Sequence, residues 1–278
     1  MKIYEKMTFD EERALYGEQD ILIKKCSFDG PQDGESALKE AGAITVSDSY
    51  FNLRYPFWHC DGVKIVGSEM TEKCRAALWY STDIEIVGSK LYGIKALREC
   101  EGVRISDCDV NSPEFGWFSS DISVNESSFV SEYFMLRAKK LNFESVNFMG
   151  KYSFQYIENS IFNNCNFDTK DAFWHAKNVT VRNSVVKGEY LAWYSENITF
   201  ENCEIIGTQP LCYCKNLRLI NCKMIDCDLS FEKSSVKADI VGEIDSVKNP
   251  TDGYVIADNI KEVIYDTEEK LCTITIRS

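Results

Sequence analysis

A repeat of nearly constant length constrains this chain more than any other feature. KNVTVRNSVVKG, ENITFENCEIIG and KNLRLINCKMID begin at Lys177, Glu196 and Lys215, nineteen residues apart. The first apolar or small residue of each unit falls at Ile21, Ile44, Val63, Ile84, Val103, Ile122, Leu141, Ser160, Val179, Ile198 and Leu217. The intervals are 23, 19, 21 and then 19 throughout. From each start, apolar or small residues recur two, five and seven positions on, as in Ile198, Phe200, Cys203 and Ile205. Alternation at period two makes each half a short strand with one face inward, and the change of parity between the halves marks a turn.

Two further columns fit that turn. Gly62, Asp83, Gly102, Asp121, Asn159, Asn178, Asn197 and Asn216 stand just before the starts. Gly, Asn and Asp tolerate positive φ, so a left-handed corner is expected there. Asn164, Asn183, Asn202 and Asn221 stand four positions after the starts, where stacked amides can hydrogen-bond from coil to coil. No amphipathic helical stretch recurs within a unit, and the leucine spacing of leucine-rich repeats is missing. The pattern predicts an all-β, single-stranded, right-handed parallel β-helix of about 11 coils. At about 4.8 Å per coil, it would stand on the order of 50 Å tall.

The expected organisation is one β-helix domain over residues 1–278. Residues 1–20 form an N-terminal cap, 21–228 the regular coils, and 229–278 irregular C-terminal coils and a cap, read through ADIVGEI, YVIADNIKEVIYD and KLCTITIR. Thr8-Phe9-Asp10-Glu11 reads as a capping box with Gly17 as a helix stop, predicting a short N-terminal capping helix. A second short helix is expected over Gly34–Ala41 after Asp33, which would account for the long first interval.

Composition narrows the partners. The chain is 44% hydrophobic and 13% aromatic, enough for a substantial core, and its net charge is −13. No Lys/Arg-rich stripe exists to neutralise phosphates, so neither nucleic acid nor an anionic membrane is an expected partner. A polyanionic substrate would be repelled at long range unless its site were locally basic. The N-terminus has no apolar signal-like core, and no run approaches the roughly 18 apolar residues of a membrane span. A cytoplasmic location with reduced thiols is the expectation for the 12 cysteines. Cys108, Cys165, Cys203 and Cys222 share an inward column with Ser49, Ser68, Ser89, Ser127 and Ser184, which reads as small core residues. No metal site or cofactor is expected, because the Cys212/Cys214 pair lacks companion ligands.

The remaining part of each unit carries aromatics. Trp58, Trp79, Arg98, Trp117, Trp174 and Trp193 share one column, which holds all five tryptophans. The next column holds His59, Tyr80, Glu99, Phe118, Arg137, Tyr156, His175, Tyr194 and Tyr213. The column before them (Phe57, Leu78, Leu97, Phe154, Phe173 and Leu211 among others) is apolar and should point inward. A β-helix interior is too narrow for a stack of indoles, so the Trp column, the His/Tyr column or both face outward. These rings either staple coil to coil or line a groove for sugar rings, whose C–H faces are apolar and whose hydroxyls need partners.

Acid–base candidates are His59, Glu99, Asp171 and His175. Glu99, Arg98, His59 and Arg137 form one polar cluster; Lys170, Asp171 and His175 form another. The two histidines lie six coils apart, roughly 29 Å, and cannot share a site. Glu99 with Glu101 or Glu114 could be fitted to a two-carboxylate scheme, but no spacing demands it. Arg54, Arg75, Lys95, Glu114, Glu132, Lys151, Lys170 and Glu189 add a charged edge of mixed sign.

GPQDGESALKE, SYFNLRYPFWHCD, ALWYS, ALREC, SPEFGWF, KYSFQY, KDAFWHAKN and GTQPLCYCKNLRLINCKMIDCDLSFE together resemble an uncharacterised bacterial family, a domain of unknown function. The resemblance covers nearly the whole chain. It implies the pectin-lyase-like superfold and transfers no catalytic residue. The leading expectation is carbohydrate binding or processing through the aromatic stripe; any turnover would be that of a glycoside hydrolase, polysaccharide lyase or epimerase. The alternative is a non-catalytic scaffold whose stripe meets a protein or a second copy of the chain.

Overall fold

The computed structural model describes residues 1–266 and 271–277. Lys270, which opens the KLCTITIR segment, and Ser278 lie outside the described residues. The described residues form a right-handed parallel β-solenoid of about 14 turns with no α-helix. The chain divides into two compact units, Met1–Asn142 and Phe143–Ser278.

In the first unit one side of the coils is built from Lys2–Glu5, Gln19–Lys24, Gly42–Ser47, Asp61–Val66, Thr82–Val87, Glu101–Ser106 and Ser120–Asn125. They pair in parallel, and the register sets Ile21, Ile44, Val63, Ile84, Val103 and Ile122 in one column. All six are buried. The second unit repeats the arrangement with Glu158–Asn163, Lys177–Arg182, Glu196–Glu201 and Leu217–Ile225, where Ser160, Val179 and Ile198 are in register. A shorter strand follows in most coils, whereas Leu217–Ile225 runs through both sides as one strand. The inward residue of the shorter strand is Phe9, Phe28 or Phe51 in the first coils, stacked at 5.0 and 4.6 Å.

The column before the starts is left-handed as expected, and the asparagine column after them is left-handed as well. In the column before the starts, φ is +67° at Gly62, +49° at Asp83 and +54° at Asn178 and Asn197. In the column after them, φ is +53°, +50°, +53° and +52° at Asn164, Asn183, Asn202 and Asn221. The amides stack. Asn221 Nδ2 donates to Asn202 Oδ1 (2.8 Å), Asn202 to Asn183 (3.2 Å), and Asn183 to Asn163 (2.9 Å). A second ladder runs Asn216 to Asn197 to Asn178 to Asn159 at 2.8, 3.0 and 3.0 Å.

The column of small core residues does more than fill space. A tight turn leaves a backbone N–H without a ladder partner, and a buried N–H must find one. Ser49 Oγ accepts the Cys26 N–H, Ser68 Oγ accepts Ser49 N–H, and Ser89 Oγ accepts Ser68 N–H, each at 3.1 Å. Each hydroxyl in turn donates to the carbonyl two residues back, at 2.8 to 3.0 Å. Ser81, Ser119 and Ser234 serve Cys60, Cys100 and Cys214 in the same way. All twelve cysteines are buried free thiols. Burial pushes those of Cys60, Cys100 and Cys214 up to about 12, which leaves them unreactive thiols at neutral pH.

Two expectations are corrected. Thr8–Phe9 is a strand, and neither the 8–17 nor the 34–41 segment is helical. Their N–H groups bond to the next coil instead: Arg13, Leu15 and Gly17 donate to the carbonyls of Glu35, Ala37 and Lys39, while Ser36, Leu38 and Glu40 donate to Arg54, Pro56 and Trp58. Eight-residue helices are marginal alone, whereas a coil edge offers a full set of acceptors. The turn count exceeds 11 for the same reason. Lys2–Glu5 already pairs with Gln19–Lys24, and the tail holds further coils in Ser235–Ile240, Asp252–Ala257 and Thr273–Ile276.

Candidate functional site

The aromatic columns lie on the third side of each coil, whose backbone is unusual. Residues two apart adopt positive φ: Tyr152, Phe154 and Tyr156 (+55°, +57°, +58°), then Asp171, Phe173 and His175 (+52°, +59°, +56°), then Tyr190, Ala192 and Tyr194 (+55°, +58°, +61°). Non-glycine residues enter this region at a cost, and β-branched ones at the greatest cost. Among the described residues, no Val, Ile or Thr is found at a positive-φ position. Inter-coil hydrogen bonds offset the strain: Tyr152, Tyr156 and His175 donate to the carbonyls of Lys170, Trp174 and Trp193 at 2.8 to 2.9 Å. The middle residue of each triplet points inward, and so do its counterparts Phe57, Leu78 and Leu97, which lie in short strands and not at positive φ. Phe57, Leu78, Leu97, Met135, Phe154, Phe173, Ala192 and Leu211 are all buried. Where that column has Gly116, the Met135 sulfur occupies the space a Cβ would need.

Parity is thereby fixed. The tryptophans are half-buried, and the His/Tyr column is the outermost, with Tyr80, Phe118, Tyr156 and Tyr194 exposed by 41, 46, 39 and 47%. Register confirms the columns: Leu78 pairs Phe57 and Leu97, while Trp58 pairs Trp79, Trp79 pairs Arg98, and Arg98 bridges Trp117.

In the first unit, cations are built into the Trp column. Trp58 and Trp79 stack at 5.7 Å. Lys39 Nζ sits 4.1 Å above Trp58, and the Arg98 guanidinium lies 5.8 Å from Trp79 and 5.5 Å from Trp117. Such contacts suit a desolvated cation. Arg98 Nε also donates to Glu99 Oε1 (3.0 Å). Burial pushes the Glu99 carboxyl up, but hydrogen bonds from Tyr80 and Arg98 and the Arg98 charge outweigh it and hold the pKa below the usual value. The same contact raises the Tyr80 phenol. His59 stacks on Tyr80 at 5.0 Å. Trp58 and Trp79 bury their indole N–H groups without a partner of hydrogen-bonding geometry. Trp117 Nε1 donates to the Tyr133 carbonyl.

In the second unit, Trp174 and Trp193 stack at 5.6 Å, and their indoles donate to the carbonyls of Tyr190 (2.7 Å) and Gln209 (2.8 Å). Beside them Tyr156, His175, Tyr194 and Tyr213 form a continuous ring stack, with centroids 4.7, 5.1 and 4.8 Å apart and planes within 7 to 11°. The ring faces are spent on one another, so edges and polar tips meet solvent. Burial, and then the Lys177 charge, lower the pKa of His175, favouring the neutral imidazole. Asp171 is only 7% exposed, and burial raises its pKa.

The structure therefore brings together Tyr80, Arg98 and Glu99 with Trp79, and separately Tyr156, His175, Tyr194 and Tyr213. Arg137 stands exposed in the His/Tyr column. The charged edge is largely paired within itself: Lys95 with Glu114 (3.2 Å), Lys170 with Glu189 (2.8 Å), and Arg54 with Glu35 (3.1 Å). Glu114 is thus engaged away from Glu99. Among the described residues, no group of three His, Cys, Asp or Glu side chains is placed to hold a metal ion, and no helix is long and apolar enough to cross a membrane.

A family model described as "Protein of unknown function (DUF3737)" matches residues 2–277. The chain belongs to this family. No curated protein matches its sequence. Among solved structures it is similar to the A-module of the mannuronan C-5 epimerase AlgE4 of Azotobacter vinelandii, at 8% identity and a TM-score of 0.34 over 85% of this chain and 87% of that one. It is likewise similar to an alginate lyase from Paenibacillus sp. str. FPU-7, at 9% identity and a TM-score of 0.35 over 84% and 99%. Likeness at this level speaks for no reaction, substrate or site in the DUF3737 chain.

Proposed function

We propose that this DUF3737 protein binds a carbohydrate along the exposed His/Tyr ladder of its second unit. The observation that carries the reading is the four-ring stack Tyr156–His175–Tyr194–Tyr213, which presents ring edges and polar tips at the spacing of the coils. A sugar chain offers alternating hydroxyls and C–H edges, which such a surface can meet rung by rung. Neutral His175 both donates and accepts. Contact is by edge and tip, since the faces between rungs are occupied. The net charge of −13 favours a neutral glycan over a polyanionic one.

No catalytic step is assigned. Glu99 is held ionised by Arg98 and Tyr80, and Asp171 is buried. The role fits a binding module better than a hydrolase with two free carboxylates. Trp193 lies 5.4 Å from Tyr213 and 6.3 Å from Tyr194, so its emission reports on the ladder. Titration with neutral oligosaccharides should give a saturable change, weakened about five- to tenfold in Tyr194→Phe if its hydroxyl makes one hydrogen bond. A flat titration with every sugar, together with a stable dimer that shields these tyrosines, would sink the reading in favour of self-association.

A further inference from the structure

The period is broken twice near its beginning, between Ile21 and Ile44 and between Val63 and Ile84. In solenoids, insertions into single repeats collect on one face and often build a binding surface. Here both insertions line one groove in the first unit, with a volume of about 520 Å³. The longer first interval contributes Asp29 and Asp33, the longer later one Lys73 and Arg75, and the regular coil between them Asn52 and Arg54.

The charges in this groove are unequally engaged. Asp29 Oδ1 accepts from Asn52 Nδ2 (2.8 Å) and the Gly30 N–H (2.9 Å), and Thr71 Oγ1 donates to Asn52 Oδ1 (2.6 Å). Arg54 faces Glu35 at 3.1 Å and Asp33 at 3.7 Å. The acids are thus held by partners. Lys73 and Arg75 are exposed, and among the described residues neither side chain meets a carboxylate. The groove of this acidic protein is thus lined by two cations without carboxylate partners, Lys73 and Arg75, together with the hydrogen-bonded Asn52 and Asp29.

We propose that this groove binds an oxyanion, the phosphate or carboxylate group of a small ligand, through Lys73 and Arg75. The Arg75 fork suits two oxygens of one oxyanion, and Lys73 adds a point charge. The oxyanion site is independent of the His/Tyr ladder, which lies in the other unit.

Calorimetric titration of the full chain with inorganic phosphate, and separately with D-glucuronate, tests it. Saturable heat with at least one is expected; which one assigns phosphate or carboxylate chemistry. Lys73→Gln and Arg75→Gln should each weaken binding about tenfold, and the double variant should abolish it, while Arg218→Gln, an exposed cation of the second unit, leaves it unchanged. Raising the salt should weaken wild-type binding. The proposal is overturned if neither probe binds saturably, if the double variant binds like wild type, or if binding is indifferent to salt. The salt arm decides the matter should a variant fold poorly.

Discussion

The two units carry the same aromatic columns and stabilise them differently. In the first, Trp58 and Trp79 stack directly, Lys39 lies over Trp58, Arg98 lies between Trp79 and Trp117, and two indole N–H groups remain unbonded. In the second, the indoles bond to the following coil and four outer rings stack without interruption. The backbone differs too: Phe57–Trp58, Leu78–Trp79 and Leu97–Arg98 are short strands, whereas Phe154, Phe173 and Ala192 of the second unit are left-handed. The carboxylates follow: Glu99 is drawn below its usual pKa by neighbours, and Asp171 is raised by burial.

The largest expected effect tests what the ladders share. Phe173 is fully buried and stacks on Phe154 at 4.9 Å. Phe173→Ala should cost about 3–5 kcal/mol by denaturant unfolding, and Leu97→Ala about 2–5 kcal/mol. A loss below about 1 kcal/mol in either would show that the ladder does not depend on the inward column. Next comes the ionic rung. Arg98→Ala removes a charge-assisted bond and its ring contacts and should cost about 2 kcal/mol. Arg182→Ala, which breaks an exposed pair with Glu201, should cost under about 1 kcal/mol.

The indoles offer a sharper contrast. Trp193→Phe and Trp79→Phe lose similar ring area, but only the first loses a hydrogen bond. Trp193→Phe should therefore be the more destabilising by about 1 kcal/mol. Equal losses would mean that the bond to Gln209 contributes nothing.

The smallest effects have opposite signs in pH. The lowered pKa of Glu99 contributes stability that is present above the unfolded carboxyl pKa and lost as pH falls through the folded value. Glu99→Gln should therefore lower the melting temperature at pH 7, and the difference should shrink in acid. The raised pKa of Asp171 means that the folded state holds its proton more tightly, so stability falls as pH rises through that value. Asp171→Asn should raise the melting temperature at pH 7, and that gain should also vanish in acid. Shifts of the same sign at pH 7 would erase the distinction between the units.

Much of this was legible in the sequence. The period, the inward columns and the left-handed corners followed from Gly, Asn and Asp at fixed places, because those residues report positive φ directly. The third side hid its conformation because its left-handed positions carry Tyr, Phe, Leu and His, which normally signal strands. The available clue was negative: among the described residues, no Val, Ile or Thr stands there. The capping box at Thr8 misled because local side-chain bonding matched a helix start while acceptors on the next coil were invisible in sequence. The first coil escaped notice because the start column there holds Lys2, a charged residue paired with Ile21. The Ser hydroxyls that satisfy turn N–H groups looked like filler, since small size and hydrogen bonding leave the same trace in a column of Ser and Cys.

The two asparagine columns have an arrow. Asn178, Asn183, Asn197 and Asn202 each give an amide hydrogen toward the N-terminal side and receive one from the C-terminal side. A coil excised from the second unit would expose bare acceptors on one cut and bare donors on the other. Graft junctions should therefore heal only head to tail, making these columns a molecular polarity mark for anyone cutting or splicing repeats.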